Sequence, residues 1–130
     1  MQIFICIFTI ETDKNTMKTA LLASRHLTKP EHYEKIKVAL QELGTTHVLH
    51  GAEGAGKEHA QTWAKETGNA ETGYAPDWST HGRAAGPIRG KKLIADADNC
   101  LALWDGKSPG TRHELAEARR QGKRVKLLLE

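Results

Sequence analysis

Apolar positions along the chain follow two alternating rhythms. Short unbroken apolar runs read as strands buried on both faces. Stretches with apolar residues three and four apart read as helices packed along one side. "KTALLAS" predicts a strand over Lys18–Ser24. "TKPEHYEKIKVALQELG" follows, with Tyr33, Ile36, Leu40 and Leu43 on one helical stripe. Thr28 is its expected cap, Pro30 suits the first turn and Gly44 the stop. "THVLH" predicts a second strand over Thr46–His50.

A helix opened by glycines comes next, with Ala60, Trp63 and Ala64 on one side and Gly68 as terminator. Residues 69–83 are polar and irregular, with a short strand expected near Thr72–Ala75. "GPIRGKKLIADA" predicts a helix capped at Gly86 with Pro87 in its first turn. "NCLALW" is a strand, "GTRHELAEARRQG" the last helix and "RVKLLL" the last strand. This alternation predicts an α/β, doubly wound, mostly parallel sheet of about five strands with helices on both faces. In such folds ligands bind beyond the carboxyl ends of the strands, where the strand order reverses.

Composition narrows the picture modestly. The 130 residues fit one domain, expected over residues 17–130. Residues 1–16 read as an amino-terminal tail or an extra edge strand; Met17 would also serve as a natural beginning. "MQIFICIFTI" is too short to span a membrane and lacks the basic start and cleavage site of a signal peptide. No membrane partner is expected. The net charge of +3, from 19 basic and 16 acidic residues, is too mild to suggest a nucleic-acid coat. The densest basic run, "EARRQGKRVK", suits a solvated helix end. Cys6 and Cys100 show no metal or redox spacing, which points to a reduced, cytoplasmic protein. The seven histidines contain no helical H-x-x-x-H, so no metal is expected, and no cofactor.

Four loops follow strands and share one edge: "ASRH", "HGAEGAG", "PDWSTHGRAAGPIR" and "WDGKSPGT". They concentrate glycines, which let backbone approach a phosphate, and Arg25, Arg83 and Arg89, whose forks match phosphate oxygens. Trp78 or Trp104 could stack on a base, or belong to the core. "GAEGAGKEH" matches neither the Walker A pattern nor G-x-G-x-x-G, which argues against ATP hydrolysis and dinucleotide oxidoreduction. Thr111 and Glu114 have capping-box spacing, so the same two residues are expected to cap the last helix.

Taken in order, "HGAEGAGKEHAQTWAKETG", "PDW", "GRAAGPIRGKKLIADAD" and "LALWDGKSPGT" resemble the SLOG superfamily, nearest its YspA-like (cpYpsA-related) group. The resemblance runs from Met17 to Glu130. It implies a Rossmann-like fold that binds nucleotides or molecules derived from them. The superfamily includes LOG phosphoribohydrolases, DprA-type DNA-processing proteins and sensors in antiphage signalling.

Ser24 and Arg25 match the family's Gly-Ser-Arg loop, and Gly51, Ala52, Gly54 and Ala55 its Gly-Ala-x-Gly-Ala core. Gly56 stands where an Asp is usual and Gly90 where an Asn is usual. Arg89 and Glu114 match the LOG-type catalytic pair, although "KSPGT" lacks the full PGGxGT sequence.

The expected ligand site therefore comprises Ser24, Arg25, Gly51, Ala52, Glu53 and Gly54 from the first two loops. The later loops add Trp78, Arg83, Gly86, Arg89, Asp105, Gly106, Gly110 and Thr111. The expected function is sensing or sequestration of a signalling nucleotide, derived from NAD or a cyclic nucleotide. The alternatives are an N-glycoside hydrolase using Glu114 and Arg89, and single-stranded DNA binding in the DprA manner. A homo-oligomer is expected.

Overall fold

The computed structural model describes residues 16–130; the expectations for residues 1–15 lie outside the described residues. The strands are β1 (Lys18–Ala23), β2 (His47–His50), β3 (Ala70–Gly73), β4 (Asn99–Trp104) and β5 (Val125–Leu129). The helices are α1 (Pro30–Glu42), α2 (Gly54–Thr67), the short α3 (Trp78–His81), α4 (Ala85–Asp96) and α5 (Pro109–Arg120). A single 3-10 turn, Gly82–Ala84, joins α3 to α4.

The five strands form one sheet in the order β3-β2-β1-β4-β5, with every pairing parallel. The fold is thus the α/β doubly wound class that the alternating pattern predicts. β1 and β4 carry unbroken apolar runs because both their faces are covered. On one face Leu21, Val48, Leu101 and Leu103 meet Ile36 and Leu40 of α1 and Ala60 and Trp63 of α2. On the other, the small Ala20, Cys100 and Ala102 let α4 and α5 come close, with Leu93, Ile94 and Leu115 filling the layer. The sheet order reverses between β1 and β4, so their carboxyl ends open a crevice.

Several boundaries differ from the sequence expectation. Lys29, not Thr28, is the N-cap of α1, because Pro30 already occupies the first helical position. β3 starts two residues early, at Ala70, in register with His47 of β2. The polar stretch after it carries α3, capped by Asp77, whose Oδ1 accepts from the Thr80 amide at 3.2 Å. Helix α4 begins at Ala85, so Gly86 lies inside its first turn and does not cap it. Gly68 does end α2, in the left-handed conformation at φ 75°.

Candidate functional site

The turn after β4 decides how the last helix is built. Asp105 folds back on its own backbone: its Oδ1 accepts from the amides of Lys107 at 2.8 Å and Ser108 at 2.7 Å. Its Oδ2 accepts from the Ser108 hydroxyl at 2.8 Å. These bonds stabilise the ionised carboxylate and hold its pKa down at about 2. The turn is complete at Ser108, which becomes the N-cap, and Pro109 opens α5.

This overturns the capping-box expectation. Thr111 is the third residue of α5, buried, with its Oγ1 3.3 Å from Ser24 Oγ at the end of β1. Ser24 Oγ also accepts from the Asp105 amide at 3.3 Å, tying the ends of β1 and β4 to α5. Glu114, one turn further on, has no capping role and faces a cleft.

The cleft encloses about 630 Å³ at the carboxyl edge of β1 and β4. Its walls are the loop after β1, the loop entering α2, the first turns of α4 and the start of α5. Burial pushes the Glu114 carboxyl up to about 7; Glu53 adds to that rise and Arg89 opposes it. At neutral pH such a carboxyl can both give and take a proton.

Arg89 reaches the opposite wall. Its Nη1 donates to the carbonyl of Gly51 and, at 3.4 Å, to that of Tyr74. Nη2 lies 3.5 Å from Glu53 Oε1, and Glu53 Oε2 lies 3.7 Å from Arg25 Nη2. The Arg89 Nε is buried without a partner among the described residues. This guanidinium is engaged inside the protein and braces the loop after β2, where a phosphate clamp was expected. The same loop is held from below by His50. Its Nδ1 accepts from the Ala52 amide at 3.1 Å, which leaves the proton on Nε2, 2.5 Å from Glu71 Oε1. Ala52 is thereby fixed at φ 63°, a left-handed conformation that costs a residue with a Cβ.

Among the expected site residues, Ser24, Arg25, Gly51 and Glu53 line the cleft from one side. Gly86, Arg89, Gly110, Thr111 and Glu114 line it from the other. The remaining expected positions do not line it. Ala52 faces His50, and Gly54 lets the α2 loop pack on Arg25, whose carbonyl accepts the Ala55 amide at 3.1 Å. Trp78 is 55% exposed and leans on Gly86. Arg83 projects from the exposed 3-10 turn, and Asp105 and Gly106 form the turn behind α5. Trp104 supports α5 by donating to the Ser108 carbonyl at 3.1 Å, with Arg112 over its ring. It is not a base-stacking platform in the cleft.

Sequence reasoning missed Lys91, His113 and Glu117, and left Gly56 and Gly90, which it noted only as departures from the family pattern, out of the expected ligand set; all five line the cleft. Gly110, Glu114 and Glu117 recur at helical spacing, a signal that could have found Glu117. Arg25 and His26 stand exposed at the mouth, with Lys91 and His113 across from them on α4 and α5. The cleft thus has the cations Arg25 and Lys91 around its entrance and the carboxyls of Glu53 and Glu114 within. Among the described residues no three His, Cys, Asp or Glu side chains are grouped as metal ligands, and no helix is long and apolar enough to cross a membrane.

The chain is 36% identical over 83 residues to the Gene 61 protein of Mycobacterium phage D29. The match covers 58% of this chain and 65% of that protein. No protein-family model matches the chain, and no solved structure matches it.

Proposed function

We propose that the cleft binds a nucleotide-derived small molecule, as the SLOG resemblance implies, with a phosphate at the start of α5. One observation carries this reading. The amides of Gly110 and Thr111 have no acceptor among the described residues, and nothing lies within 4 Å of where a Gly110 Cβ would stand. Open amides at the positive end of a helix form a ready anion site. The Asp105 turn uses the neighbouring Lys107 and Ser108 amides, so the site suits one phosphate group. The 630 Å³ volume lies in the range of small-ligand sites, roughly 300–1,000 Å³. The protein then acts as a sensor or a sequestering agent for a signalling nucleotide.

Native mass spectrometry of the purified protein, followed by analysis of a denatured extract, tests this reading. Thermal shifts with AMP, NAD, ADP-ribose and cyclic nucleotides extend the test. A bound nucleotide, with binding lost in Gly110→Val, is the expected result. An empty protein unmoved by every probe overturns it.

A second reading, N-glycoside hydrolysis, has one observation in its favour. Glu114 is released from capping and titrates near neutrality inside the cleft. A carboxyl so placed can stabilise a ribosyl cation or activate water. Release of free base from AMP or NAD, abolished by Glu114→Gln, would establish it. Intact nucleotide after prolonged incubation leaves the binding role alone.

A further inference from the structure

The chain has twelve glycines, and the structure explains eight of them without any ligand. Six have positive φ, where a side chain would be strained. Gly51 and Gly73 are crowded: a Cβ would stand 2.6 Å from Arg89 Nη1 in one, where the guanidinium must move, and 3.0 Å from His50 Cε1 in the other, where the ring must give. The other four, Gly56, Gly86, Gly90 and Gly110, sit within helices without positive φ. A Cβ at any of them would meet only ordinary contacts or open space. Alanine would serve each helix better, because glycine loses more backbone freedom on folding. All four line the cleft.

Gly56 and Gly90 are the most informative pair, since both are buried. A Cβ at Gly56 would lie 3.6 Å from the Leu21 carbonyl oxygen. One at Gly90 would lie 3.6 Å from Glu114 Oε2, covering a carboxyl to which the described residues supply charge but no hydrogen bond.

Resting on the nucleotide-binding reading, we propose that Gly56 and Gly90 determine which ligand the cleft accepts. Each omits a side chain so that ligand atoms lie directly on helix backbone. The group over Gly90 bears a hydroxyl or amino donor that meets the Glu114 carboxylate. Its source is either the sugar or the base of the nucleotide.

The test uses Gly56→Ala and Gly90→Ala in the full chain, with AMP and ribose 5-phosphate as probes in calorimetric titration. Each variant is expected to melt about 2–4 °C above the parent without ligand. Each is also expected to bind AMP at least ten-fold more weakly. Parallel weakening of ribose 5-phosphate in Gly90→Ala assigns the sugar to that wall; loss confined to AMP assigns the base. Variants that are stabilised yet bind AMP as the parent does overturn the proposal and leave the binding reading standing. Variants that melt lower also overturn it, because the glycines then serve the fold. A parent protein that binds neither probe, nor NAD, ADP-ribose or a cyclic nucleotide, removes the reading beneath it.

Discussion

Arg89 and Gly51 share one volume: the guanidinium of Arg89 fills the space that a side chain at position 51 would take. A Cβ there would stand 2.6 Å from Nη1 and 3.0 Å from Cζ. Gly51→Ala therefore expels the guanidinium from the Gly51 and Tyr74 carbonyls and costs about 1–3 kcal/mol. Arg89→Met removes the same bonds from the other side. The two changes are expected to be non-additive, the double variant falling short of the sum by at least about 0.5 kcal/mol. Urea denaturation of the four proteins measures this; strict additivity would show that the two residues do not act as one unit.

Glu114 makes stability depend on pH in an unusual direction for a carboxylate. Burial raises its pKa from an ordinary 4.5 to about 7, so the folded chain holds this proton more tightly than the unfolded one. Its contribution is complete below about pH 4.5 and fades as pH rises through about 7. Glu114→Gln cannot ionise. At pH 8 the variant is expected to exceed the parent by about 1–3 kcal/mol, with the two converging near pH 4. Equal stabilities at pH 8 would mean that the carboxyl is as well solvated in the fold as out of it.

Ala52 offers a simpler test. At φ 63° its Cβ crowds the backbone, and the His50 bond holds it there. Ala52→Gly removes the clash at some entropic cost and is expected to stabilise the protein by about 0.5–1 kcal/mol. A melting temperature that falls instead would show that the Ala52 methyl contributes packing worth more than the strain.

Asp105 behaves oppositely to Glu114. Its hydrogen bonds to Ser108 and Lys107 lower its pKa from 3.8 to about 2. The stabilisation is present above pH 3.8 and lost as pH falls through about 2. Asp105→Ala is expected to melt below the parent at pH 7, the difference closing in acid. A difference that persists unchanged at pH 2 would mean that the turn is held by something other than the charged side chain.

Strands and helix faces were legible in the sequence because burial imposes a period on them. β4 falls on "NCLALW" without adjustment, and the α1 stripe of Tyr33, Ile36 and Leu40 is buried as expected. The start of α5 was not legible. Asp105, Ser108 and Thr111 all have side chains able to satisfy a helix terminus, and their competition is settled by the closure of the Asp105 turn. The same ambiguity hid the fate of the "GAEGAG" glycines. Loop glycines signal close approach but not what approaches; Gly51 accommodates Arg89 and Gly54 accommodates Arg25. Gly90 in α4 was hard to place in the site because nothing local distinguishes a helical glycine facing a ligand from one facing another helix.

The strand order has a consequence for synthesis. β1 is the central strand, yet its neighbour β4 is drawn from residues about eighty positions later, with Thr19 Oγ1 bonding Asn99 Oδ1 at 2.6 Å across that gap. A ribosome making this chain exposes one flank of β1 until Trp104 has emerged. Such distant pairing slows folding and leaves an open strand edge in the meantime. The cleft needs both β1 and the start of α5, so it cannot form before Thr111 has been made. Any ligand that stabilises it will act only on chains that have reached α5, and will favour their survival over that of shorter products.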